Sequence, residues 1–124
     1  MSTGEGMRAE ARARIDTLSG SGGKPISAIR FSGDISSNSR DAILGSYEQI
    51  AKDHAVLLDF VKVDYVNSSG IALIIQLMLE AGKADQKVAL FGLTPHFQKV
   101  FTMVGIGRYA EIAADEPAAI AAVS

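Results

Sequence analysis

The sequence predicts an α/β domain on a small, mainly parallel sheet of four to five strands, and three observations carry that expectation. From Ile26 onward, short apolar runs alternate with segments whose apolar residues recur at helical spacing. Two of the runs, AVLLDFVKV (55–63) and KVALFGL (87–93), are continuous enough for burial on both faces, as in a parallel strand between layers. Turn residues and a helix start follow each run, and strand-helix-strand order builds parallel sheets through right-handed crossovers. A chain of 124 residues is one domain with room for a real core.

The elements follow in order. Residues 1–10 are polar and are expected to be a flexible N-terminus, so the domain proper spans 11–124. Ala11, Ala13, Ile15 and Leu18 alternate raggedly and give a weak first strand. SGSGGKP (19–25) reads as a flexible hairpin loop and lacks the spacing of a phosphate-binding P-loop. ISAIRFSGDI (26–35) is a second strand that ends at Gly33-Asp34. Candidate N-caps in 36–41 precede Ile43, Leu44, Tyr47, Ile50 and Ala51, which mark an amphipathic helix. The strand 55–63 comes next, ending at Val63 or shortly after.

A turn over 64–70 then leads into 71–81, apolar nearly all round and therefore expected to be a buried helix capped by Gly82. After the strand 87–93, Thr94-Pro95 reads as an N-cap followed by a first helical residue. Phe97, Val100, Phe101 and Val104 form the inner stripe of that helix, and Gly105 stops it. Met78, Phe97, Phe101 and Met103 sit at core spacings, although Met103, between inner-facing positions, has the alternative of an exposed place on an interaction surface. A short strand over 109–113 and an alanine-rich helix over 117–123 complete the chain.

Composition narrows the function classes. A net charge of −2 provides no basic field for nucleic acid or an anionic membrane, and five Phe, three Tyr and no Trp offer little for base stacking. The absence of Cys removes disulfides, thiol catalysis and zinc-thiolate sites. Asp53, Asp59 and Asp64 do not fit a calcium-loop spacing, so no metal or other cofactor is assigned. The start of the chain has no apolar core of a signal peptide. The longest apolar run, 71–79, is broken by Gln76 and falls short of the roughly 20 residues of a membrane helix, so no membrane insertion is expected and the default compartment is the cytoplasm.

The most informative stretch is DYVNSSGIALIIQLMLEAG (64–82), which sets Asn67-Ser68-Ser69-Gly70 directly before the apolar helix. Read from the residues, the knot has two compatible roles. Asn and Ser are favoured N-caps. A helix N-terminus, with unpaired N–H groups and the positive end of its dipole, also stabilises a phosphate. A hydrolytic serine is a third possibility, because a strand-to-helix turn is where a nucleophile elbow sits, but the G-x-S-x-G spacing is absent. His54 and His96, the two histidines, read as lone surface residues.

Three stretches in order then carry a family resemblance. FSGDI (31–35), LLDFVKVDYVNSSGIALII (57–75) and VALFGLTPHFQKVFTMVGIGRYAEI (88–112) resemble the successive signatures of the STAS domain, and in particular the free-standing bacterial anti-sigma factor antagonists. The resemblance covers about 11–123. It implies a small curved sheet with helices packed mainly on one side, and a protein-binding switch without enzymatic activity. In that switch the unphosphorylated protein binds an anti-sigma factor that is itself a serine kinase of the GHKL ATPase type, which frees a sigma factor for transcription. The kinase phosphorylates the first serine of the knot, here Ser68, and breaks the complex; a PP2C-type phosphatase reverses the modification.

The implied partner contacts are the knot residues Asn67, Ser69 and Gly70, the exposed face of the following helix, and the neighbouring loop at Asp34 and Ser36. Many switch-type members carry Asp before the phosphorylated serine; Asn67 keeps the capping role and removes a charge. The competing readings are a STAS module that is never phosphorylated, in a scaffold or as a transport-complex subunit, and a small hydrolase using Ser68 or Ser69.

Overall fold

The computed structural model describes residues 10–124. One five-stranded sheet has the order β1-β2-β3-β4-β5. β1 (Arg12–Ser19) runs antiparallel to β2 (Pro25–Ile35). β2, β3 (Ala55–Val66), β4 (Val88–Phe91) and β5 (Glu111–Ile112) are mutually parallel. Helices fill the crossovers: α1 (41–48), α2 (Ser68–Lys83) and α3 (Pro95–Met103), with α4 (Glu116–Val123) after the last strand. The expected flexible N-terminus, 1–10, lies outside the described residues apart from Glu10, which makes a bridge to Asp34.

The connection order explains why the helices gather on one side. Each parallel crossover steps one strand in the same direction, and a common handedness places every crossover helix on the same face. The main core accordingly joins Ile43, Leu44 and Tyr47 of α1, Ile74, Leu77 and Met78 of α2, and Phe97 and Phe101 of α3 to Ile29, Phe31, Leu58, Phe60 and Leu90 of the sheet. Phe60 stacks on Phe31 at a centroid distance of 5.4 Å and meets Phe101 edge-on at 5.8 Å. Such pairs add about 0.5–1.5 kcal/mol each beyond area burial. α4 covers the other face alone, where Ala119 and Val123 pack on Ile26, Ala28, Leu57, Ala89 and Phe91.

Several elements differ from expectation for local reasons. α1 opens with a π-wound turn, Asp41–Gly45, before one α-helical turn, Ser46–Glu48. The Ser46 hydroxyl lies 3.0 Å from the Ile43 carbonyl and 2.5 Å from that of Ala42, competing with the backbone for acceptors. β3 continues past Val63 to Val66, paired with β2 to its last residue. Two bulges accompany this extension: Arg30, Ser32 and Asp34 face Asp59, Lys62 and Tyr65, so β3 spends three residues where β2 spends two.

α2 is not buried all round. Gly70, Ile74, Leu77, Met78 and Ala81 face inward, whereas Ala72, Gln76 and Leu79 are exposed. Gly82 is inside the helix rather than its cap. The helix closes two residues later, where Asp85 takes the left-handed conformation (φ 57°), the Gln86 N–H donates to the Ala81 carbonyl at 2.9 Å and the Asp85 N–H to that of Gly82 at 3.1 Å. This is a Schellman closure with Asp in the position glycine usually takes. Met103 is 79% exposed and so is not a core residue. Among the described residues no helix is long and apolar enough to cross a membrane.

Arg30 ties the layers together on the α4 side. Its Nε donates to Asp16 on β1 at 2.6 Å, and its Nη1 lies 2.9 Å from Asp59 on β3 and 2.7 Å from Glu116 on α4. Asp59, in mid-strand, also accepts the Val61 N–H at 2.9 Å and so satisfies a donor freed by the first bulge. The hydrogen bond from Arg30 holds the Asp16 carboxyl below its ordinary range. A lowered native pKa contributes stability above the unfolded value, lost as pH falls through the folded one. Wild type should therefore be more stable than Asp16→Asn at pH 7, and urea unfolding should show that gap closing as pH drops below about 4, the ordinary aspartate value. A gap that stays constant down to pH 2 would contradict the assignment.

Candidate functional site

Parallel pairing brings the carboxyl ends of β2 and β3 to the same level, because Asp34 pairs with Tyr65 and Ile35 with Val66. The Asn67 N–H then donates to the Ile35 carbonyl at 3.0 Å, which holds the knot against the end of β2. Asn67 is the N-cap of α2. Its Oδ1 accepts the Gly70 N–H at 2.8 Å, and its carbonyl accepts that of Ile71 at 2.9 Å. The N–H groups of Ser68 and Ser69, in the first turn, have no acceptor within the helix.

Gly70 lets this turn sit where it does. It is buried, and a Cβ there would lie 2.6 Å from the Ile35 carbonyl oxygen. The helix can press onto the strand end only with no side chain at that position. Ser68 and Ser69 are exposed in consequence, and both belong to α2. Ser36 caps the turn after β2 in a reciprocal pair: its hydroxyl accepts the Asn38 N–H at 3.3 Å, and its N–H donates to Ser39 Oγ at 2.9 Å.

The structure therefore gathers Asp34, Ser36 and Asn67 around one pocket of about 260 Å³, with Ser68 and Ser69 following directly on the exposed turn. Gly70 belongs to the same turn but lies beneath its surface. Tyr65, unremarked in the sequence reading, also lines the pocket and meets Phe97 of α3 edge-on at 6.2 Å. The signal for it was an aromatic residue in a polar turn, three positions before Ser68. From Ser68 an outward stripe continues down α2 through Ala72 and Gln76 to Leu79, which is 45% exposed.

Neither histidine serves the serines. His54, at the start of β3 and so at the far end of the strand from the knot, has Nδ1 2.9 Å from Ser27 Oγ. His96 lies edge-on to its neighbour Phe97 at 4.9 Å. Among the described residues no hydrogen bond joins the hydroxyl of Ser68 or Ser69 to a histidine or carboxylate, and no group of three His, Cys, Asp or Glu residues is placed to hold a metal. Chemically, the turn offers an exposed hydroxyl at the electropositive end of a sixteen-residue helix.

The turn's geometry has measurable costs. Asn67→Ala should lose about 1 kcal/mol of stability with the cap. Gly70→Ala should lose more, about 1–3 kcal/mol, because the strand end or helix must move to admit the methyl group. Urea unfolding of both variants checks the order, and a neutral Gly70→Ala would mean that the contact with Ile35 is loose.

Comparison with known proteins places this geometry. A family model, the STAS domain, matches residues 22–119. An anti-sigma factor antagonist from Mycobacterium paratuberculosis shares 16% identity over 92% of this chain and 94% of its own, with a TM-score of 0.73. An anti-sigma-factor antagonist (STAS) domain protein from Planctomyces limnophilus shares 17% identity over 94% of this chain and 100% of its own, with a TM-score of 0.67. The Bacillus cell fate determinant SpoIIAA in its phosphorylated form shares 21% identity over 86% of this chain and 95% of its own, with a TM-score of 0.58. At these identities the likeness is one of fold. No curated protein matches the sequence.

Proposed function

The chain belongs to the STAS domain family, and on that premise we propose that it is an anti-sigma factor antagonist switched by phosphorylation of Ser68. The observation that carries the reading is the position of Ser68: exposed, first in α2, on a turn held by the Asn67 cap and by Gly70 against Ile35. The unphosphorylated protein binds an anti-sigma factor of the GHKL serine-kinase type and releases the sigma factor. Partner contacts come from Asn67 and Ser69, from Asp34 and Ser36 beside them, and from the α2 stripe ending at Leu79. Gly70 contributes through the backbone path it permits.

Switching follows from where the charge lands. Ser68 Oγ attacks the γ-phosphorus of ATP on the bound kinase, the bond to the bridging oxygen breaks, ADP leaves and the hydroxyl proton passes to the kinase. The phosphoserine carries about −1.5 to −2 charges at neutral pH. The helix N-terminus accommodates them, so the domain stays folded. In the middle of a binding surface the same charge is desolvated without a partner, and the complex dissociates. Hydrolysis by a PP2C-type phosphatase restores the hydroxyl. This chain supplies an acceptor and a rigid surface and catalyses nothing itself.

One observation favours a second reading. Asn67 caps α2 as a neutral amide where many switch-type members have Asp, which suits a STAS module that is never phosphorylated and acts as a scaffold or transport-complex subunit. Affinity capture from a lysate of the source organism, read by mass spectrometry, separates the two. A GHKL-type kinase held by the wild type should be lost, by at least about tenfold in affinity, with Ser68→Glu, tenfold being 1.4 kcal/mol. The same kinase with ATP should label the wild type and not Ser68→Ala. Equal capture by wild type and Ser68→Glu would remove Ser68 as the switch and favour the scaffold reading.

A further inference from the structure

The face of the sheet opposite the main core is only half covered. Under α4 it is apolar: Ile26, Ala28, Leu57 and Ala89. Farther along the same face it becomes charged and opens into a cavity of about 660 Å³. That volume suits a small organic ligand. From the geometry we infer that this cavity is a second binding site, for an organic anion with a carboxylate or phosphate end and an apolar body.

Three features carry the assignment. The first is the distribution of charge. At the α4 end the acids are engaged: Asp59 and Glu116 are held by Arg30, and Asp115 Oδ1 accepts the Ala118 N–H at 2.9 Å. At the other end Arg12, Ser32 and Lys62 lie in one row across β1, β2 and β3. Neither Arg12 nor Lys62 has an ion-pair partner among the described residues. Neighbouring strands are about 4.8 Å apart, so the two cations flank the serine at a spacing that one anionic group can bridge.

The second is the first bulge in β3. Strict alternation would turn Lys62 away from the face that Val61 occupies, yet both residues line the cavity and both are exposed, while Val63 returns to the main core. Bulges re-aim side chains in this way beside functional sites. The third is the apolar wall. Val61 is 62% exposed in mid-strand, next to Phe91. Gly92 (φ 86°) approaches so closely that a Cβ there would stand 2.6 Å from the Val61 nitrogen. An apolar body lies along Val61 and Phe91 while the charged end meets Arg12, Ser32 and Lys62.

The test uses hexyl phosphate, inorganic phosphate and phosphatidylglycerol vesicles against the 15N-labelled full chain. Hexyl phosphate should move the amides of Ser32, Val61, Lys62 and Gly92 and leave Ser68 to Ile71 in place. Arg12→Ala combined with Lys62→Ala should weaken its binding at least tenfold with the fold intact. Vesicle sedimentation that depends on the same two cations would identify a lipid headgroup as the source of the anion; binding to hexyl phosphate without vesicle binding would identify a free ligand. An equal response to inorganic phosphate, no response to either amphiphile, or binding unchanged in the double variant would overturn the inference. None of these outcomes bears on Ser68, which lies on the opposite face.

Discussion

In the parallel pair β2–β3 the hydrogen-bond ladder persists to Asp34–Tyr65 and Ile35–Val66, so both chains leave the sheet at the same level. The main-chain bond from Asn67 to Ile35 adds one more rung just beyond the ladder. That constraint fixes where α2 begins and how close it comes to β2. It also obliges residue 70 to lack a side chain, since the only space for one is filled by the Ile35 carbonyl. With Gly70 pressed inward, the preceding two serines are left on the outside. Exposure of Ser68 is therefore a consequence of strand register and backbone packing, quite apart from its own polarity.

The two faces of the sheet divide the work by charge. On the face of α1, α2 and α3 the sheet surface is largely apolar, with Ser27 of β2 buried as a polar exception that meets His54. On the α4 face, charged residues enter the sheet itself, and Arg30 holds carboxylates from β1, β3 and α4 around one guanidinium. Each exposed or half-buried pair there is worth little alone. Joined on one arginine, they pin the C-terminal helix to three strands and define the edge of the open cavity. The core centred on Phe31, Phe60 and Phe101 lies between the sheet and α1, α2 and α3, on the face away from that cavity.

Where sequence reading and structure part company, short-range hydrogen bonding or partner geometry decided the outcome. Helical spacing brought Ile43, Leu44 and Tyr47 to the core as expected, but periodicity is blind to the π-wound turn that the Ser46 hydroxyl accompanies. Gly82 was the natural stop for α2, yet the helix ends where Gln86 can reach Ala81, and an aspartate accepts the left-handed turn. An apolar run over 71–81 suggested burial all round. Only one face of α2 meets the sheet and α1, which leaves Leu79 and Ala72 outside. The first bulge had no sequence signature, because Val61, Lys62 and Val63 read equally well as part of a regular strand, whereas the second lies at Gly33 (φ 84°), an isolated glycine within β2.

By itself the sequence determined the order of elements, the mainly parallel sheet, most of the core and the knot that begins α2, because these depend on local periodicity and capping chemistry. Asn67, Ser68, Ser69 and Gly70 could be singled out from type and spacing alone. Asp34 and Ser36 were named beside them through the family resemblance; tertiary structure alone decided that Tyr65 joins the group and that Arg30 faces three carboxylates from distant segments. These are facts about which strands pair and in what register, and register is set by the packing of whole faces against one another. A single strand carries no record of its neighbour's offset, so the place of Tyr65 opposite Asp34 became visible only once β2 and β3 were laid side by side.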